Sequence, residues 1–201
     1  MSLLRSWREW WREFDEITEI GPIVRRYFVI GAFDGALTVL GIVIGAAFAT
    51  AGKPGSAGFV VAVSVSAAIA LAISSTVGAY EAERVEKKLH RFSIEQAMLS
   101  ELSEEYRSAF KRAALVSAAV HGVAPIIAAL VPVVPFLFLE FWTSTVVATL
   151  VTLAFLFVLG AYLGSLVRER IAITGLRFVG AGLGTAALLW ALSRLGFAFV
   201  P

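Results

Sequence analysis

The sequence predicts an all-α polytopic membrane protein: five transmembrane helices, an N-terminal interfacial amphipathic helix and a short cytosolic helical insert. Three observations carry this. Hydrophobic residues make up 59% of the 201-residue chain and charged residues 16%, against about 45–50% and about 25% in soluble domains. Several apolar stretches are long enough to cross a hydrocarbon core of ~30 Å at ~1.5 Å per residue. The charges are gathered into a few short stretches between them.

In residues 1–20 the apolar side chains Leu3, Leu4, Trp7, Trp10, Trp11, Phe14 and Ile17 recur at spacings of three and four, with charged residues between them. That stripe predicts an amphipathic helix, and its tryptophans favour the headgroup level of a membrane. A helix packed on the protein's own cytosolic face is the alternative. It is not a signal peptide, because no continuous apolar core and cleavage site follow a basic start. Gly21 and Pro22 then interrupt the chain.

Residues 25–80 hold the first two spans. The first carries one charge, Asp34, which lies roughly 12 Å beyond Arg26 if the segment is helical. An intramembrane carboxylate costs about 2.5–3.5 kcal/mol at the helix centre on insertion scales, so Asp34 is predicted to face a helix bundle or water and is the first functional candidate. Gly31, Gly35, Gly41 and Gly45 form two small-xxx-small pairs that favour close helix packing. After a polar turn at residues 51–56 comes the second span, with Ser64, Ser66, Ser74, Ser75 and Thr76. Its hydroxyls either bond backbone and neighbouring helices or line a pathway.

Residues 81–112 read as the cytosolic insert, one long helix or two broken near Phe92 and Ser93. Pairs such as Glu83 with Lys87 have the supportive four-residue spacing of a solvated helix face. A second reading is a divalent-metal site: on a helix Met98, Glu101 and Glu105 would lie on one face with Glu95 and Glu104 nearby, a set of oxygens and a thioether.

Residues 113–201 supply the remaining spans of what is one membrane domain overall. The third contains His121, Pro125, Pro132 and Pro135; its prolines free backbone carbonyls and should kink or break its second half. His121 is either a metal ligand or proton relay, or a hydrogen-bonded packing residue. Glu140, Phe141 and Trp142 make a tight turn before the fourth span, residues 143–167. The fifth begins at Ile171 or Phe178, with Arg177 and Arg194 close enough to its ends to snorkel.

With five spans, fifteen of the 17 Lys and Arg residues fall on one side and only Lys53 and Arg194 on the other. The N-terminus and insert are therefore predicted to be cytosolic and the C-terminus outside. A net charge of +2 does not suggest a nucleic-acid partner. The chain has no cysteine, which excludes disulfides and thiolate metal sites. Nucleotide-binding loops are absent, so transport would be secondary. An intramembrane aspartyl hydrolase needs a pair of aspartates, and the other one, Asp15, lies in the N-terminal segment, so the chain does not read as an enzyme.

The stretch GAFDGALTVLGIVIGAA, residues 31–47, resembles the first-span signature of the vacuolar iron transporter family. Pro132 and Pro135 resemble its proline pair late in the third span, and GLRFVG at 175–180 its Arg-containing entry to the fifth. The five-span layout with a cytosolic insert is also similar. The resemblance implies a homodimer in the lipid bilayer, in the cell membrane if the source is prokaryotic, that carries ferrous iron or manganese out of the cytosol in exchange for protons. Asp34 matches the family's metal-binding aspartate, and no cofactor would be permanently bound. Where the family has a methionine and a glutamate late in its second span, this chain has Ser75 and Ala79. Glu81 lies about 200° around an ideal helix from Ala79 and does not simply replace it. Asp34 with Ser75, Thr76 and His121 would suit a borderline divalent ion. A membrane scaffold that recruits partners through its tryptophan-rich helix and insert is the rival reading.

Overall fold

The computed structural model describes residues 20–195. Among these the chain forms five α-helices and one 3₁₀ turn, with no strand. They are α1 (Ile20–Thr50), α2 (Ser56–Met98), α3 (Glu104–Val133), the 3₁₀ turn Val134–Leu137, α4 (Phe141–Leu166) and α5 (Ile171–Arg194). All five carry an apolar stretch long and hydrophobic enough to cross a membrane. The interfacial helix predicted for residues 1–20 lies, apart from Ile20, outside the described residues.

The ends of these helices follow local chemistry. After α1, Ala51 and Gly52 have φ of 49° and 73° and Gly55 has 88°, left-handed conformations that stop a helix. The Ser56 hydroxyl donates to the Lys53 carbonyl at 2.6 Å and closes the turn into α2. Helix α2 is 43 residues long and passes through Phe92 and Ser93 without a break, the unbroken one of the two alternatives the sequence left open at that point. The Ser93 hydroxyl simply back-bonds to the His90 carbonyl at 2.7 Å. The break comes at Leu99, whose φ is 53°. There Ser100 N donates to the Glu95 carbonyl at 3.3 Å and Leu99 N to the Gln96 carbonyl at 3.4 Å, the paired bonds of a Schellman motif with leucine in the place glycine usually takes.

Helix α3 runs through Pro125 and Pro132, then tightens into the 3₁₀ turn around Pro135. That proline's carbonyl accepts from Phe138 N at 3.2 Å, Leu139 N at 2.9 Å and the Ser144 hydroxyl at 3.1 Å. The break predicted in the second half of this span is thus confined to its last turn. Helix α5 begins at Ile171 rather than Phe178. Glu169, in the turn before it, accepts from Thr174 Oγ1 at 3.4 Å and pairs with Arg177 at 3.5 Å.

The helices group into two compact units. The first comprises the described chain up to Gly31 together with Ala72–Val123, and the second comprises Ala32–Leu71 with the chain from Ala124 onward. In the first, Ile20, Ala109 and Ala113 form an apolar cluster with Val24 and Val116 packed on it. In the second, one cluster is built on Val39, Val43, Val60, Val133, Phe136 and Phe141, and another on Ala32, Ala36, Ala124, Ala128, Leu156 and Leu159. Alanine recurs because lipid tails are as apolar as a leucine. Burial from lipid yields little, and contact between helices is won by bringing backbones close enough for dispersion. At Gly160 of α4 an added Cβ would stand 2.6 Å from the Thr174 carbonyl oxygen of α5.

Candidate functional site

In the second unit Asp34 stands on α1 between Phe33 and Gly35, and its side chain is exposed on the single chain. Its turn of helix is fixed by its neighbour. A Cβ on Gly35 would lie 2.5 Å from the Pro125 carbonyl oxygen and 2.6 Å from its Cα. Only glycine permits that approach of α1 to α3, so Gly35 presses the α1 backbone against fully buried Pro125 and sets where Asp34 can reach. The other packing glycines differ. Gly31 is buried, but Gly41 would meet only Leu189 Cδ1 at 3.9 Å and Gly45 nothing within 4 Å. Among the described residues the second small-xxx-small pair therefore makes no close helix contact, unlike Gly35.

The first unit holds a polar junction of three helices. Glu83 of α2, read from the sequence as part of a solvated face, is buried to 4% exposure. Its carboxylate accepts from Arg26 Nη2 of α1 at 3.3 Å, and the Tyr27 hydroxyl lies near it. Arg26 in turn lies over the Tyr27 ring at 5.2 Å. From α3, His121 packs its ring against Tyr27 with centroids 5.0 Å apart, and its Nδ1 is 2.9 Å from the Tyr27 carbonyl oxygen. A carbonyl only accepts, so Nδ1 is the protonated nitrogen and, in the neutral ring, Nε2 keeps the lone pair. Pro125, four residues on, has no N–H to give to the His121 carbonyl.

Thr76 lies on the same contact of α2 with α3. Its hydroxyl donates to the Ala72 carbonyl at 2.7 Å, and a Cβ at Gly122 would collide with Thr76 Oγ1 and come within 2.9 Å of the Ala72 oxygen. Gly122, beside His121, was not singled out by the sequence; its signal is a glycine between a histidine and a proline in an apolar span. Ser75 is half-buried on α2. Ala79, at the position of the expected carboxylate, is buried to 4% exposure, and Glu83 follows it one turn later on the same face. The structure thus brings together His121, Thr76 and Glu83, while Asp34 belongs to the other unit.

The face predicted for Met98, Glu101 and Glu105 does not form. Met98 ends α2, Glu101 lies in the loop, and Glu105 is in the first turn of α3 with its side chain outside the described residues. The left-handed Leu99 is the physical reason, since it turns the chain out of the helix before Glu101. Glu95 is occupied in stabilising that turn. Its carboxylate accepts from Leu102 N at 3.1 Å and lies 3.6 Å from Arg91. Among the described residues no three His, Asp or Glu side chains converge as a metal cage.

Five membrane-length helices and a lone carboxylate in the first of them define an integral membrane protein of the polytopic α-helical class. A sequence model of the VIT family matches residues 92–194. An uncharacterized protein of Methanocaldococcus jannaschii is 30% identical over 174 residues, which cover 84% of this chain and 88% of that relative. The chain belongs to the VIT family, and membership points to membrane transport of metal ions. The Asp34 motif lies ahead of the stretch the family model matches.

Proposed function

We propose that the protein moves a divalent metal ion, ferrous iron or manganese, out of the cytosol in exchange for protons, as a homodimer with its N-terminus and insert cytosolic. The observation that carries this reading is Asp34, the one carboxylate of α1, exposed on the single chain in a helix long and apolar enough to cross a membrane. Its cost of about 2.5–3.5 kcal/mol at the helix centre is relieved when a second copy or a water-lined path covers that face. A carboxylate in such a place is able to take either a proton or a metal ion, which is the exchange antiport requires. Within the first unit, taken by itself, the Nε2 lone pair of His121 and the hydroxyls of Ser75 and Thr76 are donors of the kind a borderline divalent ion accepts. The metal is cargo, and no resident cofactor is needed.

The insert carboxylates play no part in this proposal, because Glu95 is bound up in the turn at Leu99. A non-transporting scaffold of the same fold is favoured by one observation, buried Ala79 where the family resemblance leads one to expect a carboxylate. The decisive experiment reconstitutes the purified protein in liposomes, imposes a proton gradient and follows ferrous iron and manganese entry for wild type and Asp34→Asn. Flux in wild type that vanishes in the variant supports exchange through Asp34. Absence of flux for both metals, from a folded and inserted protein, favours the scaffold.

A further inference from the structure

The first unit contains a cavity of about 570 Å³ between α2 and α3. One wall is a stripe of cations. Arg84, Lys87, Lys88 and Arg91 stand at relative positions 0, +3, +4 and +7 along α2, which places all four on one helical face. Lys111 of α3 completes the wall, and Glu104 is the one carboxylate lining it. Several of the cations are engaged: Arg84 pairs with Glu81 at 2.7 Å, Arg91 lies 3.6 Å from Glu95, and Lys87 sits over the Phe110 ring at 5.9 Å. Five cations and one carboxylate nonetheless line the cavity. Arg91 Nε, the atom that faces the Glu95 carboxylate at 3.6 Å, is buried and makes no hydrogen bond. Lys88 and Arg91 both lie over the Phe92 ring, at 5.7 and 5.0 Å, which holds their charged ends in place.

The depth of the cavity identifies its occupant. Its apolar end is formed by Tyr80 and Ala114, the residues at which the apolar stretch of α2 gives way to charge and that of α3 begins. A molecule seated there has its polar group among five cations and its remaining bulk at the edge of the hydrocarbon. Basic recesses between transmembrane helices at this level suit phosphate-bearing headgroups. We propose that this cavity is a binding site for the headgroup of an anionic phospholipid, its phosphate received by Lys88, Arg91 and Lys111. The site is independent of transport through Asp34 and stands whether or not metal is carried.

The test is native mass spectrometry of the purified full chain from mixed micelles of phosphatidylcholine and phosphatidylglycerol. Wild type should retain phosphatidylglycerol over phosphatidylcholine. The exposed pair Lys88→Gln and Lys111→Gln together should reduce that preference roughly tenfold or more, while Lys53→Gln, outside the cavity, should leave it intact. Unfolding temperatures in phosphatidylcholine alone check that each variant is folded, and Lys111→Gln by itself serves if the double variant is not. Equal retention in wild type and variant overturns the site. Inorganic phosphate is the second probe: if it displaces phosphatidylglycerol and stabilises the protein as well in neutral micelles, a soluble anion is the ligand and the lipid assignment fails.

Discussion

The two units solve opposite problems with the same helices. In the second, α1 and α3 meet through Gly35 and Pro125 with almost nothing but hydrocarbon and backbone between them, and Asp34, the carboxylate of α1, is exposed beside that contact. In the first, α1, α2 and α3 meet through charge and hydrogen bonds, with Glu83, Arg26, Tyr27 and His121 joined in one network. Close steric fit stabilises one and polar satisfaction the other, so substitutions should harm them by different routes.

Asp34→Asn should have the largest effect on activity and almost none on packing. Metal flux into proton-loaded liposomes should be lost while the unfolding temperature in detergent holds or rises slightly, since a carboxylate leaves an apolar helix. A variant that kept its flux would remove Asp34 from the pathway. For stability, Gly35→Ala should be the most damaging change, costing about 3 kcal/mol because the neighbour in the way is backbone of a proline-containing helix and cannot rotate aside. Gly45→Ala, with open space around it in the chain, should be neutral or gain up to about 1 kcal/mol from helix propensity; equal losses at both glycines in a thermal unfolding series would refute the contrast.

The polar junction should show an asymmetry. Arg26→Ala strands a buried carboxylate and should cost about 2 kcal/mol, whereas Glu83→Gln keeps an acceptor for an arginine that is itself well exposed and should cost about 1 kcal/mol. Chemical denaturation of both variants and of the double variant would measure it, and indistinguishable costs would show that the pair is not the link between α1 and α2. The smallest effect is expected at the end of α2. Leu99→Gly relieves a left-handed conformation unfavourable to leucine and should stabilise by about 0.5–1 kcal/mol, with no change in flux.

The five spans were legible because continuous apolar runs are set by the membrane itself, independent of tertiary context. The end of α2 was not, because the residue that turns the chain is a leucine, which carries no punctuation signal, and because Glu95 supports the turn from within the preceding helix. Glu83 was misread for a similar reason. Its four-residue spacing to Lys87 looks like a surface pair, and its burial depends on Arg26, 57 residues away in the chain. Asp34 was visible as the one charge in an apolar helix, but that Gly35 beside it meets Pro125 required knowing which helix lies opposite.

Helix α2 outlasts the membrane. Eighteen of its residues, 81–98, continue past the apolar stretch without a hinge, a rod of roughly 27 Å at 1.5 Å per residue. A rigid rod of that reach is a lever: a tilt of about 10° at its membrane end would sweep the far end through roughly 5 Å. Whatever reorients α2 around Thr76 and Glu83 is thereby amplified at Met98, and anything that grips the rod near Met98 has mechanical purchase on the buried polar junction.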